Sequence, residues 1–334
     1  MRFCGSFIIF ICILVIFCCG FWGVEGSRWT YVAQSAPIGR TIIVDQSGNG
    51  DYTKIQPAIN SVPSGNTEWI RIIVRPGTYR EKVTITPDKP YIILEGQNRS
   101  TTIISGESAG DIVQSATFST FADNFIAKWI AFENTYNYKN TRTEIKKAVA
   151  ALIAGDKSAF YHCGFYGVQD TLWDCSGRHF FYDCRIQGAV DFIFGAGQSL
   201  YEESYIIVEA EGILGPGYVT AQGRENPNDE SGFVFKSCYL RGNGKVYLGR
   251  AWRPYSRVLF YDSDLSNVVV PEGWDAWEYN SSVATISFSE HACRGEGSDM
   301  SRRVAWQKKL NDSELTELTS LSFIDRGTWL QQQP

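Results

Sequence analysis

Two stretches of this chain restrict its fold more than any other feature. Phe160-Tyr161-His162-Cys163-Gly164-Phe165-Tyr166-Gly167-Val168-Gln169-Asp170 is followed by Phe181-Tyr182-Asp183-Cys184-Arg185-Ile186-Gln187-Gly188-Ala189-Val190-Asp191. Phe, Tyr, Cys, Gly and Asp all recur at a spacing of 21 residues. Looser copies follow at Tyr201–Ile206, Phe235–Gly242 and Phe260–Leu265, at spacings between 20 and 34 residues. A drifting period of this size is the signature of a solenoid with one coil per repeat. The rival is an ordinary β-sandwich with chance similarity, and five matched positions in eleven argue against it.

The repeating unit is made of strands. Thr41–Val44, Ile70–Val74, Val83–Thr86, Tyr91–Leu94 and Thr102–Ile104 are short β-branched runs bounded by Gly, Pro, Asn or Asp. A helix is expected only over Tyr52–Val62, after the Ser47-Gly-Asn-Gly turn, and beyond Ser301. The fold class expected is therefore all-β, a single-stranded parallel β-helix. Equivalent positions of successive coils then stack at about 4.8 Å. This places Cys163 over Cys184, Gly167 over Gly188 and Asp170 over Asp191. The two cysteines are either bonded or simply two small residues in a buried stack, and the Ser204 and Ser263 of other coils fit the second reading.

The N-terminus carries Arg2, an apolar run from Phe7 to Phe17 and small residues at Val24 and Gly26. That order reads as a secretory signal peptide over residues 1–26. The run is short for a membrane span, so no membrane association is expected after cleavage. A short lead, residues 27–40, precedes a catalytic domain over residues 41–334. Five cysteines remain beyond the signal, at 163, 175, 184, 238 and 293. In an oxidising compartment some of them pair, and the odd number leaves at least one without a partner in the chain. Asn98, Asn280 and Asn311 begin N-glycosylation acceptors. The formal net charge of -5 argues against a nucleic-acid partner.

Two carboxylates one rung apart cannot both ionise cheaply, because like charges at that range push one pKa up. One group can stay protonated as an acid while its neighbour remains a carboxylate nucleophile. Either aspartate alone would read as a turn-capping residue; the pair in register reads as a site. Gln169 offers an amide to a developing oxyanion. Arg250, in Leu248-Gly-Arg-Ala-Trp252, can hold a carboxylate through two hydrogen bonds, and Trp252 offers an apolar face to a sugar ring. The three histidines, 162, 179 and 291, have no metal-binding spacing, and no Gly-x-Ser-x-Gly elbow, phosphate loop or dinucleotide fingerprint is present.

Gly77-Thr-Tyr-Arg-Glu81, Gln169-Asp-Thr-Leu172, Gly188-Ala-Val-Asp-Phe-Ile-Phe-Gly195 and Leu248-Gly-Arg-Ala-Trp252 together resemble the motifs of plant pectin methylesterases, the pectinesterases. The likeness runs from about Thr41 to Trp329. It implies a right-handed β-helix of the pectin lyase-like kind and hydrolysis of galacturonate methyl esters in homogalacturonan, giving pectate and methanol in the cell wall. By the same resemblance Asp191 is the nucleophile, and Asp170 is the proton donor and then the base. Gln169 supports the oxyanion, Arg250 orients Asp191, and Trp252 binds the sugar. It implies no metal or cofactor, a monomer, and proteinaceous pectinesterase inhibitors as partners.

One position departs from the pattern. Where the family has Gln in Gln-Ala-Val-Ala-Leu, this chain has Lys147 followed by Ala148-Val149-Ala150-Ala151-Leu152. Lys147 keeps a donor and adds a charge near the oxyanion, or it swings to solvent. Losing one oxyanion donor costs about 3 kcal/mol. The alternative is therefore a weakened or inactive pectin-binding wall protein. A third reading, a calcium-dependent pectate lyase, would need further acids, for which Glu211, near the Asp position one coil on, is the candidate. The short lead leaves no room for the inhibitor-like pro-region of many plant relatives, so none is expected.

Overall fold

The computed structural model describes residues 36–139 and 144–334. The expected signal peptide, its four cysteines and residues 27–35 of the lead lie outside the described residues.

Three parallel sheets run the length of the molecule. The first has ten strands, from Ile38–Val44 to Ser287–His291. The second has eight, from Gly77–Arg80 to Asp264–Leu265, and the third has eight, from Val83–Ile85 to Trp274–Asp275. Apart from the first two strands, Ile38–Val44 and Trp69–Val74, which are consecutive, neighbours within a sheet lie three strands apart in the chain, so each later coil gives one strand to each sheet. The turns wind right-handed, the hand that parallel crossovers take. This is the expected β-helix.

The repeat read from the sequence is the coil. Ser158–Tyr161, Gly164–Tyr166 and Leu172–Asp174 pair in register with Arg178–Tyr182, Arg185–Gly188 and Ile193–Gly195 at a constant offset of 21. Inside the solenoid the repeated aromatic forms a column. Phe160, Phe181, Tyr201, Phe235 and Phe260 stack with centroids 4.9, 4.5, 4.6 and 4.5 Å apart, all fully buried. Offset-stacked rings add to the burial of their area, and the rung spacing of about 4.8 Å matches their thickness with slip.

The next column explains the cysteines. Cys163, Cys184, Ser204, Cys238 and Ser263 follow residues His162, Asp183, Glu203, Ser237 and Asp262, all with φ between 46° and 56°. Each such pair makes the sharp corner between the first and second sheets. The small residue after the corner points inward. All five described cysteines are free thiols, and Cys184 Sγ lies 3.4 Å from the Phe160 carbonyl. The column packs small buried groups and contains no disulfide.

The five expected strands are present with ends shifted by one to three residues. The first helix covers only Ile55–Asn60, not Tyr52–Val62. Lys54 at its N-cap provides no side-chain bond; Glu81 does, its oxygens accepting from the amides of Ile55 and Gln56 at 2.9 and 3.1 Å. The glutamate of the Gly77–Glu81 motif is thus a helix cap supplied from the next strand pair. A four-residue helix at Ile112–Ser115, N-capped by Asp111, was not expected from the sequence, and a third helix, Asp312–Thr319, starts at a capping box made by Asn311 and Glu314. Its Leu315 and Leu318, with Phe323 and Trp329, cover the outer face of the first sheet at Ala159, Phe180, Leu200, Val234 and Leu259. That sheet is buried on both faces, so its strands read as near-continuous apolar runs.

Phe181 sits mid-column between two stacked rings. Phe181→Ala is expected to destabilise the protein by about 3–5 kcal/mol, read as a lower denaturation midpoint at unchanged slope. A loss under 1 kcal/mol would mean that the column contributes little to stability.

Candidate active site

The turn from the second to the third sheet carries both aspartates. In one coil it runs through residues 167–171, in the next through 188–192. Gln169 pairs with Val190 across the coils, and the Asp170 amide donates to the Val190 carbonyl at 3.0 Å. The register places Asp170 directly over Asp191. Both have left-handed backbones, with φ of 60° and 47°, a conformation that Asp tolerates better than most residues. The glycine of each repeat lets this turn close. A Cβ on Gly188 would lie 2.1 Å from the Phe192 Cβ, and one on Gly167 would lie 2.7 Å from the Thr171 hydroxyl.

Arg250 comes from the strand Val246–Ala251 in the third sheet. Its outward row reads Trp173, Phe194, Ala221, Arg250, Asp275 across successive coils. Arg250 therefore starts two coils beyond Asp191, and the small Ala221 lies between. Its Nε donates to Asp191 Oδ1 at 2.8 Å, and its Nη2 donates to Oδ2. The fork-to-fork geometry is the strong form of an Arg–carboxylate bond. The guanidinium lies between two rings, 4.3 Å from the Tyr218 centroid and 3.7 Å from that of Trp277.

Lys147, Gln169, Asp170, Asp191, Arg250 and Trp252 all line one cleft of about 270 Å³. The structure thus brings together all six residues expected for ester hydrolysis. Ile112, Phe194, Ala221 and Trp277 complete the wall. Trp252 lies edge-on to Phe194 at 6.2 Å. Its ring passes over Gly223, where a Cβ would lie 2.9 Å away. Gln169 is half-buried, and its carbonyl accepts from the Ala148 amide at 3.2 Å. Lys147 is exposed at the rim, and among the described residues no hydrogen bond or ion pair holds its ammonium in place.

The two carboxyls share burial but not partners. Asp170 is 5 % exposed and has no ion-pair partner among the described residues. Burial, then the neighbouring Asp191 charge, push its pKa up to about 7, against the pull of Lys147 and Arg250. Burial also raises Asp191, but there the Arg250 hydrogen bonds and charge oppose it directly. The pair can therefore hold one proton on Asp170 and one charge on Asp191.

The sequence reading missed four groups. Ile112, Ala221 and Trp277 are single residues with no motif of their own, and Tyr218 was lost through register. Ile193 pairs with Thr220, so Tyr218, not Glu211, follows Asp191 in the next coil. Glu211 is exposed and does not line the cleft. Among the described residues no group of three or more His, Cys, Asp or Glu is placed to hold a metal ion. His162 and His179 bond instead to Asp183 and Asp174, at 2.7 and 2.5 Å.

Comparison with known proteins gives a consistent answer. The Pectinesterase family model matches residues 41–327. The chain is 52% identical to Probable pectinesterase 55 of Arabidopsis thaliana, over 88% of this chain and 91% of that one. It is 50% identical to Probable pectinesterase 29 of the same plant, over 91% and 93%. The structure of a pectin methylesterase from carrot superposes with a TM-score of 0.81 at 32% identity, covering 90% of this chain and 98% of that one. One from Aspergillus niger gives 0.76 at 27% identity, covering 90% and 98%.

The raised Asp170 pKa has a consequence for stability. An unfolded Asp ionises near its ordinary value, whereas the folded one keeps its proton until about pH 7. Between those values the native state binds the extra proton, so this group's contribution to stability falls as pH rises through the window. Asp170→Asn, which cannot ionise and suits a left-handed backbone, is expected to melt several degrees above the parent at pH 7. The gap should close toward pH 4. Melting curves at the two pH values test this, and a gap independent of pH would contradict it.

Proposed function

The chain belongs to the pectinesterase family, and from that premise we propose how its residues divide the hydrolysis of pectin methyl esters. One observation carries the assignment: Arg250 engages both oxygens of Asp191, while Asp170, in the adjacent coil, has no bonded cation. The ion-paired carboxylate is the nucleophile, and the unpaired, buried carboxyl is the acid.

Asp191 attacks the ester carbonyl, and the carbonyl electrons move to oxygen. The Gln169 amide donates to that oxyanion, with the Lys147 charge at the rim of the same cleft. As the tetrahedral centre collapses, the C–O bond to methoxide breaks, and Asp170 gives its proton to the leaving oxygen. Methanol departs, leaving an anhydride between Asp191 and the galacturonate. Asp170, now ionised, takes a proton from water as that water attacks the sugar acyl carbon. Asp191 leaves as carboxylate, Asp170 is protonated again, and the polymer retains a free carboxyl group. Arg250 keeps Asp191 ionised and oriented, and Trp252 presents its face to a sugar ring beside the reacting ester.

Residues 41–334 form the catalytic domain in this reading, and residues 1–26 direct the chain out of the cell to the wall where pectin lies. The protein works as a monomer, and a proteinaceous inhibitor would act by covering the cleft.

Methanol release from methylated pectin is the test. Asp191→Ala should lower it on the order of a thousandfold or more; normal turnover by that variant ends the mechanism. The first half-reaction needs Asp170 protonated, so kcat/KM should fall above about pH 7, approaching tenfold per unit. A flat profile to pH 9 would show that Asp170 is not the acid. Lys147 pulls the pKa values of both carboxyls down. Lys147→Gln should therefore move both limbs of the profile to higher pH, and an unchanged profile would place its ammonium out in solvent.

A further inference from the structure

The Arg250 guanidinium is held by more than the carboxylate it serves. It carries two hydrogen bonds in its own plane, both to Asp191. Its two faces are covered, by Tyr218 at 4.3 Å and Trp277 at 3.7 Å. Tyr218 stands one coil beyond Asp191 and one short of Arg250, between the two ends of the ion pair. Its hydroxyl donates to Asp275 Oδ2 at 2.9 Å, and Asp275 is the coil neighbour of Arg250. The other oxygen of Asp275 accepts from the Trp277 amide at 2.7 Å. One carboxylate thus holds the Tyr218 hydroxyl and the backbone from which the Trp277 ring projects.

We infer that Tyr218 and Trp277, fixed by Asp275, are positioning residues that clamp the Arg250 guanidinium flat in the plane where it forks onto Asp191. The inference rests on the reading of Asp191 as nucleophile and adds to it the device that aims that nucleophile. A guanidinium between two aromatic faces gains cation–π attraction and loses freedom to rotate. Without the clamp it can tilt, and one of the two in-plane hydrogen bonds weakens. Asp191 faces Asp170, Lys147 and Arg250, while Arg250 faces Asp191, Tyr218 and Asp275. A loosened Arg250 leaves Asp191 less able to stay ionised, so the acidic limb of the rate profile moves to higher pH. Because Tyr218 does not line the cleft, its removal should change kcat and spare KM.

The experiment is methanol release by the full protein across pH, with kcat and KM separated, for Tyr218→Leu, Tyr218→Phe and Trp277→Leu. Tyr218→Leu should lower kcat by about tenfold, leave KM within about twofold, and shift the acidic limb upward. Tyr218→Phe keeps the ring and should recover most of kcat. Trp277→Leu should shift the limb the same way, with KM rising as well because Trp277 lines the cleft. Tyr247 stacks on Tyr218 at 5.3 Å, and the rings that meet the Arg250 guanidinium are those of Tyr218 and Trp277, so Tyr247→Leu controls for damage to the ring stack. It should leave kcat and the limb in place; an equal shift there would reduce Tyr218 to a structural residue and overturn the clamp. In an Arg250→Lys background, Tyr218→Leu should add little further loss, and full additivity would also overturn it. Asp191→Ala separates the two failures: if it is inactive while Tyr218→Leu behaves as the parent, the clamp alone is wrong.

Discussion

Once a column of rings is stacked inside a parallel solenoid, the strands that carry it cannot slide. A slip of one residue would turn Phe160 and Phe181 outward and break the ring stack inside the solenoid. That constraint, set by burial, has nothing to do with chemistry, yet the chemistry depends on it. Asp170 and Asp191 lie ten residues beyond Phe160 and Phe181, on turns closed by equivalent glycines. The in-register core therefore dictates that the two carboxyls meet. Insertion of one residue into either turn would leave the core intact and break the pair.

Burial alone would raise both carboxyls together and distinguish neither. The difference comes from a group supplied by another part of the chain. Arg250 holds the charge on Asp191 and lies farther from Asp170, where burial and the adjacent negative charge favour the proton. In the proposed reaction an acid and a nucleophile of the same residue type are thus separated by which one has a cation bonded to it. The arrangement is unfavourable to folding, with two buried carboxyls on left-handed backbones, and it persists because the stacked core on either side over-determines the turn.

The fold was legible because its repeat is short and undrifted where it matters. Between residues 160 and 191 the spacing is constant and the motif dense, so the coil, the corner column and the aspartate pair could all be read. Past Asp191 the coils lengthen, through the loop that contains Glu211, and linear counting fails. A count assigned the next position to an exposed glutamate, whereas the ladder assigns it to Tyr218. Trp277 was illegible for a related reason: it lies in a short 3-10 segment after the last strand of its sheet, where no periodicity marks a face. The motif residue Glu81 was legible as a signal but not as a helix cap, because its partners Ile55 and Gln56 are 26 and 25 residues away.

Arg250 starts two rungs from Asp191, about 10 Å along the solenoid axis, a distance only a long side chain can cross. The crossing is possible because the intervening outward position is Ala221. A larger residue there would fill the path, while Phe194 and Trp173 occupy the same row in earlier coils. The row thus fills space at Trp173 and Phe194 and leaves it at Ala221, and that gap is as much a part of the site as the charge that spans it. A long side chain crossing a gap is floppy unless it is supported, and the rings of Tyr218 and Trp277 supply that support. Reach, gap and clamp form one device drawn from three successive coils: Tyr218 and Ala221 share one strand, Arg250 comes from the next coil, and Trp277 follows the strand after that.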